Sequence, residues 1–142
     1  MTPEPTPGTL VLLTRLSRQV YRRATEEVLG MRLKQYVALT YLQHFPGVGQ
    51  RQLGDMLMLD ANSCVLLLND IEEAGWAERR RDSEDRRRHV VDITPSGRAA
   101  LFRAERALDG LEEEVLGTLS PDERDTLRDL LARALAAAPV PA

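Results

Sequence analysis

Between Arg79 and Arg88 the chain places six arginines (Arg79, Arg80, Arg81, Arg86, Arg87 and Arg88) within ten residues, opposed only by Asp82, Glu84 and Asp85. A guanidinium stays charged and presents a planar fork of donors, so such a cluster suits phosphate oxygens and narrow, negative minor grooves. A second set lies upstream, at Asn62, Ser63 and Leu66. An asparagine amide can pair with adenine N6 and N7, a hydroxyl can reach phosphates or base edges, and an apolar side chain can touch a thymine methyl. Catalytic chemistry finds no such support. The two histidines, His44 and His89, sit in unrelated segments with neither metal-ligand spacing nor a nucleophile beside them. No enzyme activity, metal or cofactor is therefore expected. The single cysteine, Cys64, excludes an internal disulfide. It reads as a small buried hydrophobe, with a redox-responsive role as the alternative.

The elements that must position these residues follow from hydrophobic period and capping. Pro3, Pro5, Pro7 and Gly8 mark a flexible leader over residues 1–8. From Thr9 to Gly30, Leu10, Leu13, Leu16, Val20, Ala24 and Val28 recur at helical steps and predict one amphipathic helix. Helices are next expected over Leu33–Phe45, over Gln50–Met58 behind Gly49, and from an N-cap at Asp60 through Ala74, with Gly75 as the stop. In the last of these, Cys64, Leu68 and Ile71 share the core side, leaving Ala61, Asn62, Val65, Leu66 and Asn69 outward. Trp76–Arg81 and His89–Ile93 read as two strands around a polar turn, a β-hairpin wing placed directly after a helix-turn-helix. Thr94-Pro95 then opens a long helix with Leu101, Ala104, Leu108, Leu111 and Val115 in register. Ser120-Pro121-Asp122-Glu123 is a capping box for a last helix, which Pro139 closes.

The predicted fold is mainly α with a small β-hairpin wing: a winged helix-turn-helix with long terminal dimerisation helices. Residues 9–138 form a single unit, with 33–94 as the DNA-binding part, 9–30 and 95–138 as the dimerisation helices, and 139–142 as a tail. The terminal apolar stripes exceed what one small winged domain covers, which predicts a homodimer with interleaved ends. The net charge of −3 speaks against nucleic acid when taken whole. Its distribution reverses that reading, with +3 over residues 1–48, −2 over 49–98 and −4 over 99–142. The acid is concentrated in the C-terminal helices, while the ten-residue hairpin is locally +3. The outward face of the Asp60-capped helix has no Lys or Arg, so affinity is expected from the wing, Arg51 and Lys34. The leucine runs are too short to cross a membrane and no secretory pattern opens the chain, so a cytoplasmic location is expected.

The stretch Gly75-Trp76-Ala77-Glu78-Arg79-Arg80-Arg81-Asp82-Ser83-Glu84-Asp85-Arg86-Arg87-Arg88, followed by Ile93-Thr94-Pro95-Ser96-Gly97, resembles the wing signature of MarR-type transcriptional regulators. That signature has an Asp-x-Arg wing tip and a Leu-Thr-x-x-Gly helix start, with Ile93 standing here for the leucine. The resemblance spans roughly residues 10–138. It implies a winged-helix homodimer on a pseudo-palindromic double-stranded DNA operator, acting as a repressor that a small aromatic or phenolic ligand releases. By position it makes Arg87 the minor-groove arginine and Asp85 the acid that orients it, with Arg79 and Arg86 beside them. Asn62, Ser63 and Leu66 face bases, and Gly49 and Gln50 start the supporting helix, where backbone N–H groups meet phosphate, with Arg51 beside them. Val65 and Leu66 stand where many members carry basic or hydroxyl residues, so operator preference does not transfer. An effector pocket is expected between the winged part and the dimer helices, lined by Arg15, Tyr21, Tyr36 and Tyr41. A winged-helix protein–protein adaptor is the competing function, and salt dependence separates it from DNA binding.

Overall fold

The computed structural model describes residues 6–137, so residues 1–5 of the expected leader, Pro139 and the tail 139–142 lie outside the described residues. The elements run α1 (Thr9–Arg23), α2 (Glu26–Leu29), α3 (Leu33–His44), β1 (Val48–Gly49), α4 (Gln50–Met56), α5 (Ala61–Glu73), β2 (Ala77–Arg81), β3 (His89–Ile93), α6 (Pro95–Leu116) and α7 (Pro121–Ala137). The fold is mostly helical with one small antiparallel sheet, as the sequence predicts.

Two features depart from the sequence pattern. The single helix expected from Thr9 to Gly30 is two helices, because Ala24 leaves helical backbone at ψ 63°. Thr25 then caps α2, its hydroxyl accepting from the Val28 N–H at 3.4 Å. Thr25-Glu26-Glu27 is itself a helix start, a hydroxyl cap followed by carboxylates at the positive end. Gly30 ends this short helix in left-handed backbone at φ 77°. The second departure is β1, too short to show a strand period, which makes the hairpin a three-stranded sheet in the order β1-β3-β2. Val48 and Gly49 pair with Val91 and Val90, and Ala77 through Arg81 pair with Ile93 through His89.

The core gathers one side of each element. Leu39 and Leu42 from α3, Leu53 from α4, Leu68 and Ile71 from α5, Val91 from β3 and Leu101 from α6 are all buried in one cluster. Each such side chain contributes about 1.5–3 kcal/mol by leaving water. Ion pairs brace the outside: Arg32 beside α3 meets Asp70 of α5, Arg23 of α1 meets Glu114 of α6 at 3.0 Å, and Arg124 of α7 meets Glu113 at 2.9 Å. The Ser120 capping box forms as expected, with the Ser120 N–H donating to Glu123 Oε1 at 2.8 Å and the Glu123 N–H to Ser120 Oγ at 3.2 Å.

At the start of α6 the packing is tight. Thr94 caps the helix by accepting from the Gly97 N–H at 3.0 Å. A Cβ on Gly97 would collide with the Trp76 carbonyl oxygen and press on Ile93. Gly110, on the same helix, has open space around its Cα. Gly97→Ala is therefore expected to destabilise the fold by about 1–3 kcal/mol through forced backbone shifts. Gly110→Ala should stabilise it by about 0.5–1 kcal/mol by restricting the unfolded chain. Urea unfolding of both variants measures the contrast, and equal effects would contradict the close approach.

Candidate nucleic-acid interface

Helix α5 is held by its two ends and one face. Asp60 caps it, Oδ1 accepting from the Ser63 N–H at 2.7 Å. That bond keeps the Asp60 carboxyl below the usual carboxylate range. Cys64, Leu67, Leu68 and Ile71 are buried against the core. Asn62 and Leu66 are left exposed, Leu66 at 57%, while Ser63 and Val65 are half-buried. Gly75, at φ 80°, turns the chain from α5 into the wing. α4 crosses in front, with Gln50 half-buried and Arg51 exposed at its start.

The wing tip is ordered by its own acids. Asp85 accepts from the Arg87 N–H at 3.1 Å and from Arg87 Nε at 3.3 Å, while its backbone carbonyl accepts from the Arg88 N–H at 3.0 Å. The Asp82 N–H donates to the Arg88 carbonyl at 2.9 Å, closing the turn. Asp85 thus pairs with Arg87 at Nε while the side chain as a whole is 92% exposed. Arg81 donates to the neutral Arg86 carbonyl at 2.8 Å, so its charge is not offset. Arg86 and Arg88 make no ion pair among the described residues. The positive end of the hairpin is therefore its tip.

The two arginines nearer the root are turned to other work. Arg80 Nε meets Asp92 Oδ2 at 2.8 Å, and Asp92 Oδ1 also accepts from the Gly47 N–H at 2.9 Å, tying the wing to the turn before β1. Arg79, expected among the DNA contacts, is only 26% exposed and is bound to Glu72 and Asn69 of α5. Its partners, and the Asp92 partner of Arg80, carry no signal along the chain, because each becomes significant only once β2 and β3 are set beside α5.

Between the tip end of the wing and the α4–α5 corner lies an open groove of about 1080 Å³. It brings Gln50 and Arg51 together with Val65 of α5 and with Arg87, Arg88 and His89 of the wing. Cys64 lies at its floor, with Sγ 3.8 Å from the Gln50 carbonyl oxygen. Burial pushes the thiol above its ordinary value; Arg79 opposes this and Asp55 adds to it.

A second cavity of about 740 Å³ opens between α1, α3, α6 and α7. Of the four residues expected to line an effector pocket, only Tyr36 does so. The positions of α1 that face it are Leu16, Val20 and Arg23, a stripe that passes Arg15 by. Tyr21 is exposed on α1, and Tyr41 stacks on Phe45 with ring centroids 6.3 Å apart. The Tyr36 hydroxyl is raised above its ordinary value by burial first, with the charges of Glu105 and Asp109 adding to it against a bond to Thr40. No group of His, Cys, Asp or Glu suited to a metal ion occurs among the described residues, and no described helix is long and apolar enough to cross a membrane.

A helix pair that presents α5, followed at once by an arginine-tipped hairpin and flanked by long helices, is a winged helix-turn-helix. Comparison with known proteins agrees. Residues 29–88 match the family model described as MarR family. The chain is 36% identical over 98 residues, covering 69% of its own length and 59% of its relative's, to a candidate transcriptional regulatory protein for the hcr operon of Thauera aromatica. It is similar in structure to a probable transcriptional regulator from Pseudomonas aeruginosa, with TM-score 0.74 and 30% identity over 89% of this chain and 96% of that one. A MarR mutant from E. coli complexed with operator DNA shares the fold, at TM-score 0.75 and 23% identity over 88% and 91% of the two chains. The chain belongs to the MarR family of winged-helix transcriptional regulators, and its relatives are regulators, not enzymes.

The setting of Cys64 yields a test of thiol chemistry. A raised thiol pKa means the neutral form is favoured on folding, so this contribution to stability is full below about pH 9 and is lost as pH rises through the folded value. Iodoacetamide at pH 8 should label the folded protein at least about tenfold more slowly than the urea-unfolded chain. Labelling at the unfolded rate would contradict the burial.

Proposed function

We propose that the chain is a homodimeric, sequence-specific DNA-binding repressor that a small aromatic or phenolic ligand releases. The observation that carries the DNA reading is the shared groove, in which Ala61 and Val65 of α5, Gln50 and Arg51 at the start of α4 and the exposed side chain of Arg87 line one concave surface, with Asn62, Ser63 and Leu66 on α5 outside its lining. α5 would enter the major groove, its N-terminal Asn62, Ser63 and Leu66 on base edges, while Arg87 and Arg86 reach the minor groove and phosphates. Gln50 and Arg51 would meet the backbone beside them. The same fold in a protein crystallised with operator DNA supports DNA as the partner.

The homodimer rests on surface chemistry. α1 exposes Leu10, Val11, Leu12 and Leu13, and α7 exposes Leu130, Leu131 and Leu135. So many large apolar side chains on the terminal helices suit burial against a second copy. Two-fold symmetry would place two α5 helices about 34 Å apart and require a pseudo-palindromic operator. The effector reading rests on the cavity behind the winged part, where a ligand touching α1, α3 and α6 would bias their relative placement. One observation favours the adaptor alternative: the exposed face of α5 carries Leu66 and no Lys or Arg.

Arg87→Ala should weaken binding to DNA from upstream of its own gene in gel-shift titrations. It should also lower the slope of log affinity against log salt by about 1, the share of one phosphate no longer neutralised. Unchanged affinity and slope would remove Arg87 from the interface, and salt-independent binding of a protein partner would favour the adaptor. Sedimentation should give about twice 15.9 kDa, and Leu135→Asp, at an exposed position, should shift the protein toward monomer.

A further inference from the structure

Asn69 continues the outward stripe of α5 seven residues beyond Asn62 and three beyond Leu66, and it is exposed. Unlike Asn62, it is not free to choose its orientation. Arg79 of β2 donates from its terminal guanidinium nitrogen to Asn69 Oδ1 at 2.6 Å and from Nε to Glu72 one turn further along α5. A guanidinium has donors and no acceptor, so only the oxygen of the amide can face it. The planar amide is thereby set, with its NH2 on the side away from Arg79. Glu72 holds the same guanidinium at Nε, so Arg79 cannot swing away from Asn69 without breaking both contacts.

This has a consequence for what Asn69 can read. The bidentate pairing of asparagine with adenine needs the amide oxygen to accept from N6 while the NH2 donates to N7. Here the oxygen is engaged by a cation, which also disfavours the approach of another donor. The oxygen keeps a second lone pair, but the adjacent guanidinium charge repels a further N–H, so the NH2 is the part left to read, and the base edge that answers two donor hydrogens with two acceptors is the N7 and O6 edge of guanine. We propose that Asn69 is a specificity-determining residue that selects guanine in each half-site, and that Arg79, held by Glu72, is the positioning residue that gives it this preference. Arg79 then acts through Asn69 and need not touch DNA itself. The inference rests on the DNA-binding reading given above.

The test is a selection with the whole protein on a library of randomised DNA duplexes, with the recovered pool sequenced at constant salt. The wild type, Asn69→Ala and Arg79→Lys are compared, and each variant is first checked for cooperative unfolding. Lysine keeps the charge but lacks the fork that holds two partners. The wild type is expected to enrich a symmetric motif, and Asn69→Ala to lose its preference at one G·C pair per half-site and nowhere else. Placing 7-deazaguanine at that position should weaken the wild type about tenfold and leave Asn69→Ala unaffected. Arg79→Lys should admit adenine there, a change of base identity that simple loss of stability would not produce. A preference lost at an A·T pair, a uniform weakening across all sequences, or an unaltered base set in Arg79→Lys would each overturn the proposal. Should Arg79→Lys fail to unfold cooperatively, Arg79→Met, which keeps an apolar stem and removes every donor facing Asn69, replaces it with the same expected gain of adenine. A folded wild type that enriches no sequence would instead overturn the DNA-binding reading on which the proposal rests.

Discussion

Around Thr94 three parts of the chain share one knot of hydrogen bonds. Its hydroxyl donates to the Gly75 carbonyl at 2.6 Å and accepts from the Gly97 N–H at 3.0 Å, while its backbone N–H donates to the Trp76 carbonyl at 3.0 Å. Gly75 ends α5, Trp76 opens the wing and Gly97 lies in the first turn of α6. The absence of a side chain on Gly97 lets the Trp76 carbonyl come close enough for the knot to form. The angle between the exposed helix and the wing, and between both and the long helix α6, depends on this joint. Anything that moved α6 against α3, such as a ligand in the cavity between them, would act on α5 and the wing through the same bonds.

Charge is distributed by the same logic. Six arginines in a ten-residue hairpin repel one another unless some are neutralised. The two nearest the root are paired with Asp92 and Glu72, which turns them into braces between wing and body. Those toward the tip are left to solvent, with Asp85 engaging Arg87 only at Nε. Positive potential is therefore confined to the part of the hairpin that reaches farthest. The acids of the C-terminal helices balance the total, and a net charge of −3 coexists with a basic face.

Much of this was legible in the sequence because it is local. The caps at Asp60, Thr94 and Ser120 act on N–H groups three residues ahead, and all three formed where the residue types predicted them. The core side of α5 followed from its period, and the wing from its two strand-length runs around a polar turn. The break at Ala24 is local too: the Thr25-Glu26-Glu27 start signal is present, and the apolar period running through it conceals it.

The remainder needed contacts between distant residues, which no spacing along the chain encodes. Six arginines look alike in the sequence, and only the placement of β2 against α5 separates Arg79, bound to Glu72 and Asn69, from Arg87, bound to nothing beyond its own turn. Likewise Leu16, Val20 and Arg23, not Arg15, face the inner cavity because the crossing of α1 over α6 decides which stripe is inward. β1 exists because Val91 and Val90 offer it a partner more than forty residues away. The sequence by itself determined the elements, most of their ends and the charge each carries, since those depend on neighbours within a turn. The tertiary structure alone decided which polar groups are engaged and which are free, since that depends on which surfaces meet.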